Sequence, residues 1–265
     1  MSTLLIDDLL RTPMGDHKSE PLPSFNEDVC VVLVNPQTDG NIGAVARSML
    51  NFGFTDLRIV GRTNDWSDEA RNRAKNAQSV LHEAQCVETL QDAVFDCSVV
   101  VGTSGKREDG DKTAMRHFLL PEELPSRLSD VEGRVALVFG PEGKGLLNEE
   151  LSECDLLVTI PTWEGYPILN LSHAVTVICC SWFVSTETNT PSGAEDRLLE
   201  PKLRIRLREE IYRMTQNMPA KEHRRKGIED TLVRVIMRGL PKDDEIHRLL
   251  GVISQAADAF EDSES

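Results

Sequence analysis

The chain reads as an α/β protein, a parallel sheet flanked by helices with a smaller helical unit at its C-terminal end. Three observations lead there. Short apolar runs such as Val31–Val34, Val99–Val101 and Val135–Val138 alternate with helical segments from Val29 onward. Unbroken apolar runs, as opposed to an in-and-out alternation, mark strands covered on both faces, the usual state of a parallel sheet. From Leu198 to Phe260 the strand signal stops and only a helical pattern remains, with breaks near Pro219 and Pro241.

Taken in order, residues 1–27 lack periodicity and carry Pro13, Pro21 and Pro23, so they are expected to form an irregular arm. Strands are expected over 29–35, 56–61, 85–87, 97–102, 135–139 and 155–160. Helices are expected over 41–53, 67–82, 89–94, 122–128, 146–152 and 170–187. Strand–helix alternation of this kind implies a parallel sheet with crossover helices. The division that follows is an α/β domain over 28–187, a polar linker over 188–197 and a helical unit over 198–262, with a disordered end beyond.

Composition narrows the function classes. The sequence has no run of eighteen apolar residues and a polar, acidic start (Asp7, Asp8, Asp16), which predicts a cytoplasmic protein with no membrane partner. Cys30, Cys86, Cys97, Cys154, Cys179 and Cys180 form no Cys-x-x-Cys pair and sit mostly in apolar runs. They read as reduced core residues. His82, His117, His173, His223 and His247 are scattered without metal spacing, so no metal is expected. The net charge is −15, yet residues 201–240 carry eleven basic and five acidic side chains. That segment is +6 and the remainder −21. A basic helical unit on an acidic body fits an RNA footprint, and it equally fits a solvated helix face.

Three strand–loop–helix joints carry the chemical signal. The first is Asn35-Pro-Gln-Thr-Asp-Gly-Asn41-Ile-Gly43-Ala-Val-Ala-Arg47. Arg47 is flanked by small and apolar residues, with no acid within four positions, so it has no local partner. The second is Val138-Phe139-Gly140-Pro141-Glu142-Gly143-Lys144-Gly145-Leu146. It is not a phosphate loop: Val138 stands where the first glycine belongs and Gly145 where Ser or Thr belongs. The third is Ile160-Pro161-Thr-Trp-Glu-Gly-Tyr-Pro167-Ile168-Leu169-Asn170-Leu171-Ser172, leading into an apolar helix. Asn170 or Ser172 there could be an ordinary helix cap.

Together the three segments resemble the ordered motifs of the SpoU branch of the SPOUT RNA methyltransferases: Asn-x-Gly-x-x-x-Arg, Phe-Gly-x-Glu-x-x-Gly-Leu, and an Ile-Pro loop ending Leu-Asn-x-Ser. The resemblance covers about residues 28–185 and is closer to the TrmJ type, through Thr103-Ser104-Gly105 and, more loosely, the segment Leu232–Gly251. It implies a deep trefoil knot from about 100 to 180, a homodimer, S-adenosylmethionine as methyl donor, and 2′-O-methylation of RNA. The implied substrate is tRNA at nucleotide 32 of the anticodon loop.

The residues carry over by motif. Arg47 matches the catalytic arginine; a guanidinium keeps its proton, so it reads first as a clamp on phosphate and ribose, with proton abstraction open once RNA is bound. Asn41 matches the asparagine that orients the arginine or ribose. Glu142 matches a partner for Arg47 or a brace for its loop, and Asn170 the third-motif asparagine. The donor would lie against Thr103, Ser104, Gly105, Gly140, Ile160, Pro167, Ile168 and Leu169. One departure is clear: the family often has serine where Ile168 stands. Ser172 or a backbone group could replace it. Otherwise the chain is a catalytically weak RNA-binding or assembly factor on the same fold. A nucleotide-binding enzyme unrelated to RNA lacks its Gly-rich signature here.

Overall fold

The computed structural model describes residues 21–105, 118–129, 131–188, 197–198, 200–239 and 241–263. Most of the expected arm and linker lies outside these residues. The chain enters strand β1 (Val29–Val34), then helix α1 (Asp39–Asn51), β2 (Leu57–Val60), α2 (Asp68–Ala74), α3 (Gln78–His82) and β3 (Gln85–Val87). It continues through α4 (Leu90–Ala93), β4 (Cys97–Thr103), β5 (Phe118–Leu119), α5 (Leu124–Leu128), β6 (Val131–Glu132) and β7 (Arg134–Phe139). Next come α6 (Asn148–Glu153), β8 (Leu156–Val158), α7 (Leu171–Thr188) and β9 (Arg197–Leu198). The chain ends on α8 (Pro201–Asn217), α9 (Glu222–Arg238) and α10 (Asp243–Ser263).

Seven strands form one sheet in the order β3-β2-β1-β7-β4-β8-β5, and every neighbouring pair is parallel. Successive residues of each strand serve opposite faces. Val29, Val31 and Leu33 join Val135, Leu137 and Phe139 under α1, α2 and α7. Cys30, Val32 and Val34 join Ala136 and Val138 on the other face, with Leu90 and Ala93 of α4. This double burial is why the strands are apolar at every position. Strands β6 and β9 pair separately and in parallel.

The structure departs from the sequence expectation in four places. The helix expected over 67–82 is two helices, because Lys75 takes a left-handed φ of 52°. Gln78 Nε2 donates to the Arg71 and Lys75 carbonyls and holds that break. Strand β5 has two residues, too few to show a pattern. Phe25, assigned to the irregular arm, is buried in a short 3-10 turn (Ser24–Glu27). Helix α10 runs to Ser263 where disorder was expected.

Helices α8–α10 continue the same core. Leu203, Leu207, Ile211, Val233, Met237 and Ile246 belong to the hydrophobic cluster that holds β8 and α7. A charged triad fastens α8 to the sheet. Asp155, at the entry to β8, has a fully enclosed carboxylate. One oxygen accepts from Arg204 Nε (2.7 Å) and Val100 N (2.9 Å), the other from Arg208 (2.6 Å). Burial pushes this carboxyl up, and Arg204 and Arg208 more than reverse that, holding it below its ordinary range. A second network lies where β2, β4 and β7 begin: buried Arg58 binds Asp56 and Asp96, and Arg134 binds the same two carboxylates.

Candidate functional site

The order of strands brings the three signal-bearing segments together. β1, β7, β4 and β8 are consecutive in the sheet, so the loops leaving their C-terminal ends are neighbours. In open parallel sheets that edge is where ligands bind. The first turn of α1 and the loops after β7 and β8 carry Asn41, Glu142 and Asn170; Asn41 is more than a hundred residues from the other two in sequence and is hydrogen-bonded to both in space.

Glu142 is the anchor. Its carboxylate accepts from Gln37 N (2.8 Å), Thr38 N (3.2 Å) and Asn41 Nδ2 (2.6 Å). Half-burial raises its affinity for a proton, and these donors, Asn41 first, outweigh it, so the group titrates below its ordinary range. Asn41 Oδ1 accepts from Asn170 Nδ2 (3.2 Å). Asn170 Oδ1 accepts from Ser172 N (2.9 Å) and Ser172 Oγ (2.8 Å), capping α7. An ionised carboxylate only accepts and a backbone N–H only donates, so the orientation of both amides is fixed from either end. The relay joins the starts of α1 and α7, whose bodies meet again where Ser48 and Thr176 share a hydrogen bond of 2.7 Å.

Beside this relay lies a cavity of about 500 Å³, within the size range of small-molecule sites. Thr103, Ser104 and Gly105 line it from the end of β4, and Gly140 lines it from the end of β7. Ile160, Pro167, Ile168 and Leu169 line it from the loop after β8, so all eight residues matched to donor binding face one space. Glu142 lines it as well; Asn41 and Asn170 do not. Phe139, Leu146, Val158 and Leu171 give it apolar surface. Gly140 is required by packing: a Cβ there would lie 2.2 Å from the Gly145 carbonyl carbon. The bare backbone at Gly140 and Gly105, beside apolar walls and the polar groups of Thr103, Ser104 and Glu142, suits a flat heteroaromatic ligand that also carries polar substituents. The residues present therefore fit an adenosine-type methyl donor.

Arg47 is exposed, just over two turns along α1, and does not line the cavity. Its guanidinium makes no hydrogen bond or ion pair among the described residues. Within this chain Glu142 does not pair with Arg47: its carboxylate is taken by loop donors and Asn41. Gly43 matters through its missing side chain, since a Cβ would lie 2.0 Å from the Ala70 carbonyl oxygen of α2. Sequence reasoning missed Phe118, Lys144, Asn148 and Thr162 in the cavity wall. It also missed the brace of Arg62 on the Pro36 carbonyl (3.0 Å) and on Asp39, which pins the loop after β1. Burying Phe118 needs β5, a strand too short to be seen beforehand; Asp39, an acid at a helix start, was a visible signal. Among the described residues no cluster of His, Cys, Asp and Glu could hold a metal, and no helix is long and apolar enough to cross a membrane.

A model of the SpoU rRNA methylase family matches residues 28–180, more than half of the chain. The chain belongs to this family. Among family relatives, the tRNA (cytidine-2′-O-)-methyltransferase TrmJ of Methanocaldococcus jannaschii is 47% identical over 150 residues, which is 57% of this chain and 65% of that protein. The match thus spans just under two thirds of that relative. The tRNA (cytidine/uridine-2′-O-)-methyltransferase TrmJ of Citrobacter koseri is 33% identical over 239 residues, 86% of this chain and 96% of that one. Among solved structures, TrmJ from Z. mobilis ZM4 aligns with a TM-score of 0.68 at 28% identity, covering 85% of this chain and 97% of that chain. The family match covers the sheet and all three signal-bearing loops, and the last two alignments extend past it into the C-terminal helices.

Proposed function

We propose that this protein is a tRNA ribose 2′-O-methyltransferase that uses S-adenosylmethionine, acting as a cytoplasmic homodimer on nucleotide 32. The observation that carries the reading is the hydrogen-bonded union of Glu142, Asn41 and Asn170 against a cavity lined by all eight donor-matched residues. The full-length relatives named for 2′-O-methylation of tRNA cytidine and uridine support the substrate class. Nucleotide 32, the trefoil knot, and the division at about 188–197 into a methyltransferase domain and a helical RNA-binding extension rest on the family resemblance.

When bound, S-adenosylmethionine supplies a methyl group activated by sulfonium charge. The loops after β4, β7 and β8 hold the donor's flat and apolar parts through backbone groups and exclude water from them. Glu142 fixes the loop leading to α1. Asn41 and Asn170 set the relative position of α1 and α7, and so the place of Arg47. The exposed guanidinium of Arg47 clamps the phosphate and ribose of the target nucleotide and stabilises charge growing on the 2′-oxygen. The exposed apolar positions Val177 and Val184, on one side of α7, support pairing with a second copy. One observation favours the second reading, a catalytically weak RNA-binding factor: Ile168, not serine, faces Gly105 across the cavity.

Incubation with tRNA and isotopically labelled S-adenosylmethionine tests the proposal. Label is expected in a ribose-methylated nucleotide, in the presence of EDTA. Donor binding without any transfer to RNA would favour the weak-factor reading, and the absence of donor binding would remove both.

A further inference from the structure

The loop between β8 and α7 carries two aromatic rings that the site described above leaves unused. Its ends line the cavity, at Ile160 and Thr162 on one side and Pro167 and Ile168 on the other. Its apex holds Trp163 and Tyr166, which are 79% and 82% exposed, whereas the other two tryptophans, Trp66 and Trp182, are buried. The apex is tied down: Tyr166 N donates to the Trp163 carbonyl (3.0 Å) and Thr162 Oγ1 to the Pro167 carbonyl (2.9 Å). The Trp163 ring lies over the backbone of Gly165, where a Cβ would come within 2.4 Å of it. One ring face is thus seated on glycine.

Rings presented in this way are stacking surfaces, since both stay largely exposed to solvent. The residue between them decides what kind of ligand fits. Glu164 is exposed and anionic, which disfavours a phosphate at the apex and leaves the uncharged face of a base as the matching group. A cation for the backbone stands elsewhere on the rim: Lys144 lines the cavity from the loop after β7 and has no hydrogen-bond or ion-pair partner among the described residues.

We infer that Trp163 and Tyr166 form a stacking platform for an unpaired nucleobase of the RNA, next to the nucleotide whose ribose is presented to the cavity. The inference rests on the reading of this protein as an RNA ribose methyltransferase. It adds a positioning element that the sequence motifs do not contain. Single-stranded loops are recognised by splaying bases onto aromatic side chains. Base–aromatic stacking changes affinity by about 5- to 150-fold per base.

Trp163 is the exposed member of the three tryptophans, so the acrylamide-accessible part of the protein's emission reports on it. Titration with unmodified total tRNA is expected to quench the acrylamide-accessible part of that emission and to shield it from acrylamide. Trp163→Phe should lose the signal but keep tRNA affinity within about 2-fold, because a phenyl ring still stacks. The double variant Trp163→Ala/Tyr166→Ala should lose affinity by at least about 5-fold, with S-adenosylmethionine affinity and oligomeric state as in the parent. Unchanged acrylamide access on adding tRNA would overturn the platform. So would parental tRNA affinity in the double variant. A changed oligomeric state would reassign the rings to an interface between copies. Methyl transfer assayed on the same samples reads the functional proposal separately: no transfer with quenching intact would remove the methyltransferase reading and leave the platform standing.

Discussion

Two polar clusters in this molecule use similar groups for opposite ends. Asn41, Glu142 and Asn170 meet where strands end, in a half-open place beside a cavity. Asp155, Arg204 and Arg208 meet where β8 begins, and there the carboxylate is wholly enclosed. In the second cluster both carboxylate oxygens are filled by the protein itself, so nothing is left over for a ligand. In the first, amides pass orientation from loop to loop while the cavity wall stays free. The comparison teaches that a count of charged residues says little until their partners are known. Eleven basic side chains between 201 and 240 read as a candidate RNA surface. Arg204 and Arg208 instead bind Asp155, Arg213 binds Glu210 and Asp258, and Lys226 binds Glu229 and Asp230.

The largest expected effect falls on Arg47, the arginine proposed to act beside the open cluster. Arg47→Ala should lower methyl transfer by about 100- to 1000-fold, the usual loss for one positioned transition-state group, with donor affinity nearly unchanged because Arg47 lies outside the cavity wall. Near-normal turnover would make Arg47 a bystander and remove the functional half of the contrast.

Next comes the closed cluster. Asp155→Ala leaves two arginines facing each other across an emptied site, and breaking a buried ion pair typically costs about 3–5 kcal/mol. Denaturant unfolding of the variant should show a loss in that range. By the same reasoning, truncation after Ser185 should destabilise the sheet domain by stranding Asp155 and by baring the part of the shared core that Leu203, Leu207 and Ile211 now cover. The division read from the sequence, with a linker over 188–197, predicts instead that the same cut leaves a folded sheet domain. A truncated chain as stable as the full one would show that α8 is a separable module after all.

The pH dependence joins the two clusters. Asp155 and Glu142 both titrate below their ordinary ranges in the fold. Their stabilising contributions are therefore complete above the unfolded carboxylate range, about pH 4, and are lost as pH falls through their lower folded values. Stability should be level from about pH 7 down to about pH 5 as far as these two groups are concerned, and should decline below pH 4. Glu153 is the small opposite case. Burial raises its proton affinity, and its Oε2 is enclosed without a hydrogen-bond partner. Glu153→Gln should raise the thermal midpoint at pH 7 by no more than about 2–4 °C, keeping the bond that Oε1 accepts from Gln91. A lowered midpoint would mean that Arg204 and Arg208 draw more from this carboxylate than its burial costs.

The sheet was legible because parallel strands buried on both faces are apolar throughout: β1, β4 and β7 stand where those runs are. The cavity wall was legible through the family resemblance, which matched Gly105, Gly140, Pro167 and Leu169 to donor-binding positions. The break at Lys75 was hidden, since it depends on Gln78 reaching back to two carbonyls. The Asp155 triad was hidden too, because its acid and its bases lie about fifty residues apart in different elements. Glu142 was readable as a site residue, while its role as a brace needed the positions of Gln37, Thr38 and Asn41.

The central claim is that the open cluster builds a site for methyl transfer to a tRNA ribose. Mass spectrometry of nucleosides from tRNA treated with the protein and S-adenosylmethionine, with ribose-methylation mapping of the same RNA, tests it most directly. The account predicts a 2′-O-methylated nucleoside placed at nucleotide 32, all but absent with Arg47→Ala. A methyl group found on a base, or none found on tRNA while the donor binds, would contradict it.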